Sequence, residues 1–409
     1  MEICYRRCAG LDVHKATVVA CVVVSGSCRR VEQETKTFAT HTRALLELAD
    51  WLAGWGVTHV AMEATGVYWK PVWAILEGRF ELLLANARQM RNLPGRKTDV
   101  SDAAWIADLL RHGLLKASFV PPRPIQDLRD LLRYRAQLVR ERAAVANRIG
   151  KVLEQANIKL GEVASDILGR SGEAMIEALV EGEEDPRRLA EHARRQLRRK
   201  REQLELALWG KVRGHHRYLL GKLLAHWRFL GRQIVELEGE VDRQIAPFAE
   251  AVARLETIPG VSRVTAWTIV AEIGVEMKQF GSAGRLASWA GLCPGQRESA
   301  GKRRSGRIRP GNVWLRSVLC EAAWGAQRKK GSYFGALYQR LAGRRGKRRA
   351  LVAVAHALLV VIYYVLERGE NYQELGADHF DRLHADSMKR HYLRRLRQLG
   401  VKVTVEATA

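Results

Sequence analysis

The feature that most restricts the fold of this 409-residue chain is the spacing of its apolar residues, which changes character twice. Up to about Pro124, short β-branched runs alternate with helix-like segments. Cys8 to Val13 and Thr17 to Val24 read as strands joined in a hairpin by His14-Lys15-Ala16, and Val31 to Phe38 supplies a third antiparallel strand. Thr42 to Trp55 then has helical spacing, Val57 to Met62 is a short strand, Tyr68 to Leu76 is helical, and Phe80 to Ala85 is strand again. Such an order builds a mixed sheet with helices packed on it.

From about Ile125 to Ala253 the character is different. Only two prolines occur there, and Arg, Glu, Leu and Ala dominate, so long helices are expected. Leu223, Trp227, Leu230, Ile234, Leu237 and Val241 follow the seam spacing of a coiled coil, which fits an intramolecular helical hairpin and a dimer seam equally. Arg187 to Arg201 (RRLAEHARRQLRRKR) sets a string of arginines and a lysine against a single glutamate. A solvated helix face explains such a run, yet a face this one-sided repels itself unless something anionic covers it. The third region opens with TIPGVSRVTAWTIVAEIG (Thr257 to Gly274), a Pro259-Gly260 turn leading into an amphipathic helix. That helix-hairpin-helix pattern offers backbone N–H groups at Gly260 and the following helix start to a phosphate. Beyond about residue 331 the chain is a basic, helical extension with no motif.

Charge narrows the partners. Lys and Arg outnumber Asp and Glu by 68 to 44, a net +24 that exceeds what solubility needs and implies a polyanion. Nucleic acid is the first candidate and an anionic membrane surface the second. The longest apolar run, Leu351 to Leu366, is 16 residues, contains His356 and follows the basic Arg344 to Arg349. A spanning helix needs about 20 apolar residues, so a buried core helix is expected and no membrane partner. Val18 to Val24 lacks the flanks of a signal peptide. Six cysteines at no C-x-x-C spacing argue for neither zinc nor a disulfide framework and fit a reducing cytoplasm.

Four carboxylates stand out. Asp12 lies inside the apolar run GLDV, where an ionised carboxylate needs a compensating cation. Glu63 follows a strand in MEATG, the position from which a mixed sheet delivers side chains to a cleft. In KTDVSDA (Lys97 to Ala103), Asp99 and Asp102 are three apart at a helix start and share a face. Taken singly, Asp99 and Asp102 are ordinary first-turn residues and Glu63 a solvated acid. Gathered by the expected topology, the four need cations between them, and hard oxygen ligands favour Mg²⁺ or Mn²⁺. A pair of such ions would clamp the attacking and leaving oxygens of a phosphodiester.

GLDVHK, MEATG and KTDVSDA together resemble the Asp-Glu-Asp-Asp pattern of the DEDD transposases, the insertion-sequence one-ten family, with KTDVSDA the most specific of the three. The resemblance covers roughly Ala9 to Pro122 and Leu255 to Ala323. It implies an N-terminal domain similar to the Holliday-junction resolvase fold, with Asp12, Glu63, Asp99 and Asp102 as the metal-binding set. The segment Leu286 to Ala323 (LASWAGLCPGQRESAGKRRSGRIRPGNVWLRSVLCEAA) looks like the family's C-terminal domain, where a serine shortly after a Gly-Leu-x-Pro turn is the nucleophile; that match selects Ser299, with Ser305 the competitor. Ser299 sits in a glycine-bearing loop with Lys302, Arg303, Arg304, Arg307 and Arg309 close by, which would draw a phosphate. A basic Ser/Gly loop more often binds phosphate than attacks it, and no His or Asp stands in the loop to complete a triad. The hairpin departs from the pattern in one place, with Ser262 where a second glycine is usual.

The expected architecture is therefore α/β plus α. It comprises a ribonuclease-H-like (resolvase-like) mixed-sheet domain over 1–124, a long helical or coiled-coil middle over 125–253, a mostly helical domain with the helix-hairpin-helix and serine over 254–330, and the extension over 331–409. The expected activity is DNA recombination through a 5′-phosphoserine link. The resemblance implies donor and target DNA, a structured guide RNA and a homo-oligomer, dimer or tetramer, as partners. Two rivals stand beside it: a metal-dependent junction resolvase or nuclease that uses water, and a non-catalytic nucleic-acid binder.

Overall fold

A computed structural model of the chain describes residues 2–26, 31–64, 66–85, 90, 102–295, 297–305, 307–383 and 385–400, with backbone alone at 297–299, 302–305 and 386–388. It divides into two compact units, Met1–Val120 and Pro121–Ala409.

In the first unit β1 (Arg7–Val13), β2 (Thr17–Ser25) and β3 (Val31–Ala39) form an antiparallel meander. The tight β1–β2 connection is closed by the His14 N–H donating to the Thr17 carbonyl at 2.9 Å. Helix α1 (Thr42–Gly54) leads to β4 (His59–Glu63), and α2 (Trp69–Leu76) to β5 (Glu81–Ala85), both strands joining parallel to β1 in the order β3-β2-β1-β4-β5. This is the ribonuclease-H-like arrangement expected from the sequence. The two-residue period of a strand sorts its side chains. Ala9, Leu11, Val13, Val60 and Met62 are buried on the face covered by α1 and α2. Cys8 and Ala61 are buried on the other, against α3 (Asp102–Arg111). Gly10 sits under α3 with no room for a side chain: a Cβ there would meet the Ala103 carbonyl oxygen at 2.2 Å and the Ala107 nitrogen at 2.3 Å. The glycine lets helix backbone lie directly on the sheet.

The second unit is helical apart from one small hairpin. Its frame is a pair of long antiparallel helices, α4 (Arg123–Gln155) and, later, α9 (Gly214–Gln244). The ion pair Arg135–Glu238 and the Arg142 guanidinium over the Trp227 ring set their direction. Leu230 and Ile234 of the coiled-coil spacing share a core with Leu138, Val145 and Ile149 of α4, joined by Leu220 and Leu224, and Val241 is buried further along, so the seam is filled within one chain. Long helices are expected throughout this region; between these two the chain instead forms short pieces: α5 (Leu160–Val163), α6 (Arg170–Glu181), α7 (Pro186–Glu191), a 3₁₀ turn over Arg195–Lys200, and α8 (Arg201–Leu208). Pro186 starts α7 after the Asp185 cap, whose side chain accepts the Arg187 N–H. The arginine run that follows is divided among α7, the 3₁₀ turn and α8.

Helices α10 (Ala249–Glu256), α11 (Arg263–Ile273), α12 (Ala283–Trp289) and α13 (Val313–Ala326) follow, with the hairpin β6 (Arg297–Ser299) and β7 (Lys302–Ser305) between the last two. Then come α14 (Tyr333–Arg345), α15 (Lys347–Arg368), α16 (His379–Leu383) and α17 (Ala385–Gln398). Among the described residues α15 is the one helix long and apolar enough to cross a membrane. Ala350, Val354, Ala355, Leu358, Leu359 and Ile362 along it are fully buried, and it packs on α13 and α14 as the core helix the sequence suggests. The chain beyond α15 folds back: the Tyr372 N–H donates to Thr257 Oγ1 at 3.0 Å, and the Tyr372 ring stacks on Phe334.

Candidate active site

Asp12 and Glu63 are brought together by the sheet. Cys8, Gly10 and Asp12 alternate onto the α3 face of β1, and Ala61 and Glu63 onto the same face of β4. The parallel register pairs Gly10 with Ala61 and Leu11 with Met62, so Asp12 and Glu63 are neighbours at the carboxyl ends of adjacent strands. Both are half-buried. The side chain facing Asp12 is His14, whose Nε2 lies 3.0 Å from Asp12 Oδ2, within hydrogen-bond distance. Asp102 is exposed in the first turn of α3, the helix that Gly10 seats on this face. Asp99 lies outside the described residues. Among the described residues, no three acidic, histidine or cysteine side chains gather at metal-holding distance.

Ser299 ends β6 and pairs across the hairpin with Lys302. The two residues between them, Ala300 and Gly301, have φ of 52° and 72°, as a type I′ turn requires. Gly301 adopts this freely; Ala300 is strained by it, and such strain collects at functional loops. Ser305 ends β7, which also carries Lys302, Arg303 and Arg304, while Arg307 and Arg309 are exposed on the returning strand of chain. The base of the hairpin is tightly closed. Gly295 N–H donates to the Arg307 carbonyl at 2.8 Å, and a Cβ on Gly311 would meet the Gly291 nitrogen at 2.3 Å.

Just past that base a buried polar network appears that the sequence reading missed. Asn312 caps α13, its Oδ1 accepting the Leu315 N–H at 3.0 Å, and donates from Nδ2 to Glu272 Oε2 at 2.6 Å. Glu272, on α11, is 1% exposed. Arg133 of α4 binds its two carboxylate oxygens at 2.7 and 2.8 Å, while Arg129 donates to the Ala271 and Glu272 carbonyls at the end of α11. Burial lowers the Arg129 pKa, and the Glu272 charge works against that effect. The available signal was the one used for Asp12: a carboxylate inside an apolar run, here VAEIG.

The helix-hairpin-helix differs from expectation in two respects. Helix α11 is buried on nearly all sides, from Thr265 through Ile273 apart from Thr268, and so is not amphipathic. At its start Ser262 stands as the cap, its hydroxyl accepting the Thr265 N–H at 3.3 Å. Gly260, at φ 83°, lies against α13, where a Cβ would meet the Ala322 carbonyl oxygen at 2.2 Å. The positive φ and the close packing both call for glycine there.

Comparison with known proteins bears on both halves. Residues 9–158 match a family model described as a transposase, of the DEDD type of IS110 elements, and residues 252–339 match one described as the transposase IS116/IS110/IS902 family. The chain is 28% identical over 287 residues to the transposase for insertion sequence element IS1111A of Coxiella burnetii, a stretch covering 68% of each protein. It is 25% identical over 322 residues to a probable family 20 transposase of Pseudomonas aeruginosa, covering 77% of this chain and 85% of that one. A shorter match, 33% over 106 residues, is to the transposase for insertion sequence element IS1328 of Yersinia enterocolitica, covering 26% of this chain and 31% of that one.

Proposed function

This chain belongs to the IS116/IS110/IS902 family of transposases, enzymes of DNA cleavage and strand transfer, and from that premise we propose that Ser299 is its nucleophile. The observation that carries the proposal is the place of Ser299, at the tip of a tight hairpin beside a strained Ala300 and opposite a strand rich in Lys and Arg. The serine oxygen attacks a DNA phosphorus, losing its proton. The 3′-oxygen of the neighbouring nucleotide departs as a hydroxyl, leaving a 5′-phosphoserine link. A 3′-hydroxyl from another strand then attacks the same phosphorus and the serine leaves. One ester is exchanged for another at each step, so no external energy source is needed.

Lys302, Arg303, Arg304, Arg307 and Arg309 would bind the phosphate and offset the charge that grows on it. Asp12 and Glu63, with Asp99 and Asp102, would hold Mg²⁺ or Mn²⁺. Support for this is the donor chemistry: two half-buried carboxylates on one face at neighbouring strand ends suit a hard cation. When bound, such an ion supplies charge neutralisation at the scissile phosphate. A homo-oligomer that assembles both elements, and a guide RNA pairing with donor and target DNA, complete the proposal.

The test is incubation of the protein with Mg²⁺, end-labelled element DNA and the transcript flanking the gene, followed by a denaturing gel. Label should attach covalently to wild type and Ser305→Ala and vanish in Ser299→Ala and Asp102→Ala. Cleavage without an adduct, undiminished in Ser299→Ala, would replace the proposal with a water-dependent nuclease.

A further inference from the structure

The arginine run of the helical middle is not absorbed by this mechanism. Around the start of α6 and the 3₁₀ turn lies a cleft of about 990 Å³. Its cations are Arg170, Arg194, Arg195, Arg198 and Lys200, against the single acid Asp166. Several arginines elsewhere in the helical middle have carboxylate partners: Arg188 with Glu183, Arg201 with Glu191 and Glu205, Arg217 with Glu184, and Arg228 with Glu173 and Glu177. In the cleft five cations converge on one concave surface without such partners among the described residues. Arg198 and Lys200 bond to the carbonyls of Ala193 and Val163, which leaves their charge in place. No carboxylate pairs with Arg170, Arg194 or Arg195 among the described residues.

The arrangement is built rather than incidental. Ser171, 7% exposed, accepts the Arg194 N–H at 2.9 Å and ties the run to the first turn of α6. Arg195 has φ 51°, a conformation that costs a long side chain energy and that redirects the chain into the 3₁₀ turn. Strain and unpaired like charge are both held at one place, which is unfavourable unless an anion occupies it. No aromatic side chain lines the cleft to stack on a base. What it can recognise is phosphate, and a concave surface takes phosphates from a single flexible strand better than from a stiff duplex.

We infer that this cleft binds the phosphodiester backbone of a DNA strand in single-stranded form, as strand exchange by a transposase exposes. The inference uses the family's action on DNA and is independent of which serine attacks.

The test measures binding of a fluorescent oligothymidylate to the full chain by anisotropy, between about 50 and about 200 mM salt. Against wild type, the triple variant Arg170→Ala/Arg194→Ala/Arg195→Ala should bind roughly tenfold more weakly or worse, with the slope of log K on log salt reduced by about 2. Arg195→Gly, which suits the positive φ, should weaken binding in the same direction while keeping the wild-type melting temperature, so that misfolding cannot account for the loss. Arg188→Ala/Arg217→Ala, which removes paired charge outside the cleft, should bind as wild type. Unchanged affinity and slope in the triple variant would overturn the inference. So would an equal loss in the Arg188/Arg217 control, or a loss confined to an oligouridylate of the same length.

Discussion

Arg133 and Glu272 form a two-bond pair, Nε to Oε1 at 2.7 Å and Nη2 to Oε2 at 2.8 Å, that joins the long helix α4 to the buried helix α11. Through Asn312 the same carboxylate reaches the residue that follows the serine hairpin. Truncating one member of a buried pair leaves the other uncompensated, which costs about 3–5 kcal/mol; Arg133 is 34% exposed, so the lower end applies. Glu272→Ala should therefore destabilise the protein by about 3 kcal/mol in urea unfolding, and Asn312→Ala by about 1 kcal/mol as a lost helix cap. Equal, small effects from both would mean that the network contributes little.

Gly10 offers a sharper probe of the carboxylate face. A methyl group there collides with helix backbone at Ala103 and Ala107, atoms that cannot rotate away, so α3 must shift. Gly10→Ala should cost at least the 1–3 kcal/mol typical of overpacking. Hydrogen exchange should accelerate along Asp102–Arg111, and DNA cleavage should fall with it. Unaltered exchange in that helix would contradict the close approach.

Acid should weaken the helical middle through His216. This residue is 2% exposed, and its Nδ1 accepts the Arg213 N–H at 3.3 Å. Burial first, then His215 and Arg213, hold its pKa below the ordinary value. The folded state thus binds fewer protons than the unfolded one, so this contribution is complete above pH about 6.5 and is lost as pH falls through the folded-state value. His356, also depressed by burial, acts in the same direction. Melting temperatures from pH about 7.5 to about 5.5 should fall less in His216→Asn than in wild type; parallel curves would exclude His216 as a source.

The cysteines of the first unit should divide by exposure. Burial pushes the Cys8 thiol up to about 12 and raises that of Cys21, whereas Cys4 is exposed. Peptide mapping after iodoacetamide at pH about 8 should find Cys4 alkylated in the native protein and Cys8 and Cys21 only after unfolding. Native labelling of Cys8 at the Cys4 rate would contradict its place under α3.

Much of this was legible in the residues because two periods, 2 and 3.6, were written cleanly. Asp12 is legible because a charge inside an apolar strand needs a partner, and Glu63 because the expected topology gathers it with the other acids. Glu272 sits in an equally apolar run, but a helix-hairpin-helix pattern explains that segment without giving its acid a role. The seam spacing from Leu223 to Val241 announced a partner helix, but an apolar stripe does not say whether that partner lies in the same chain; α4 supplies it. The glycines at 10, 291 and 311 carry no side-chain signal, and their need appears only where two backbones meet. The break in the arginine run before Arg195 is likewise hidden, since charge density says nothing about φ.

The central claim is that Ser299 becomes bonded to DNA. Digesting the trapped protein–DNA adduct with nuclease and protease, then sequencing the peptides by tandem mass spectrometry, places the residual nucleotide on one side chain. Nucleotide mass on Ser299 is the expected result; the same mass on Ser305 or another residue, or cleaved DNA with no modified peptide, would contradict it.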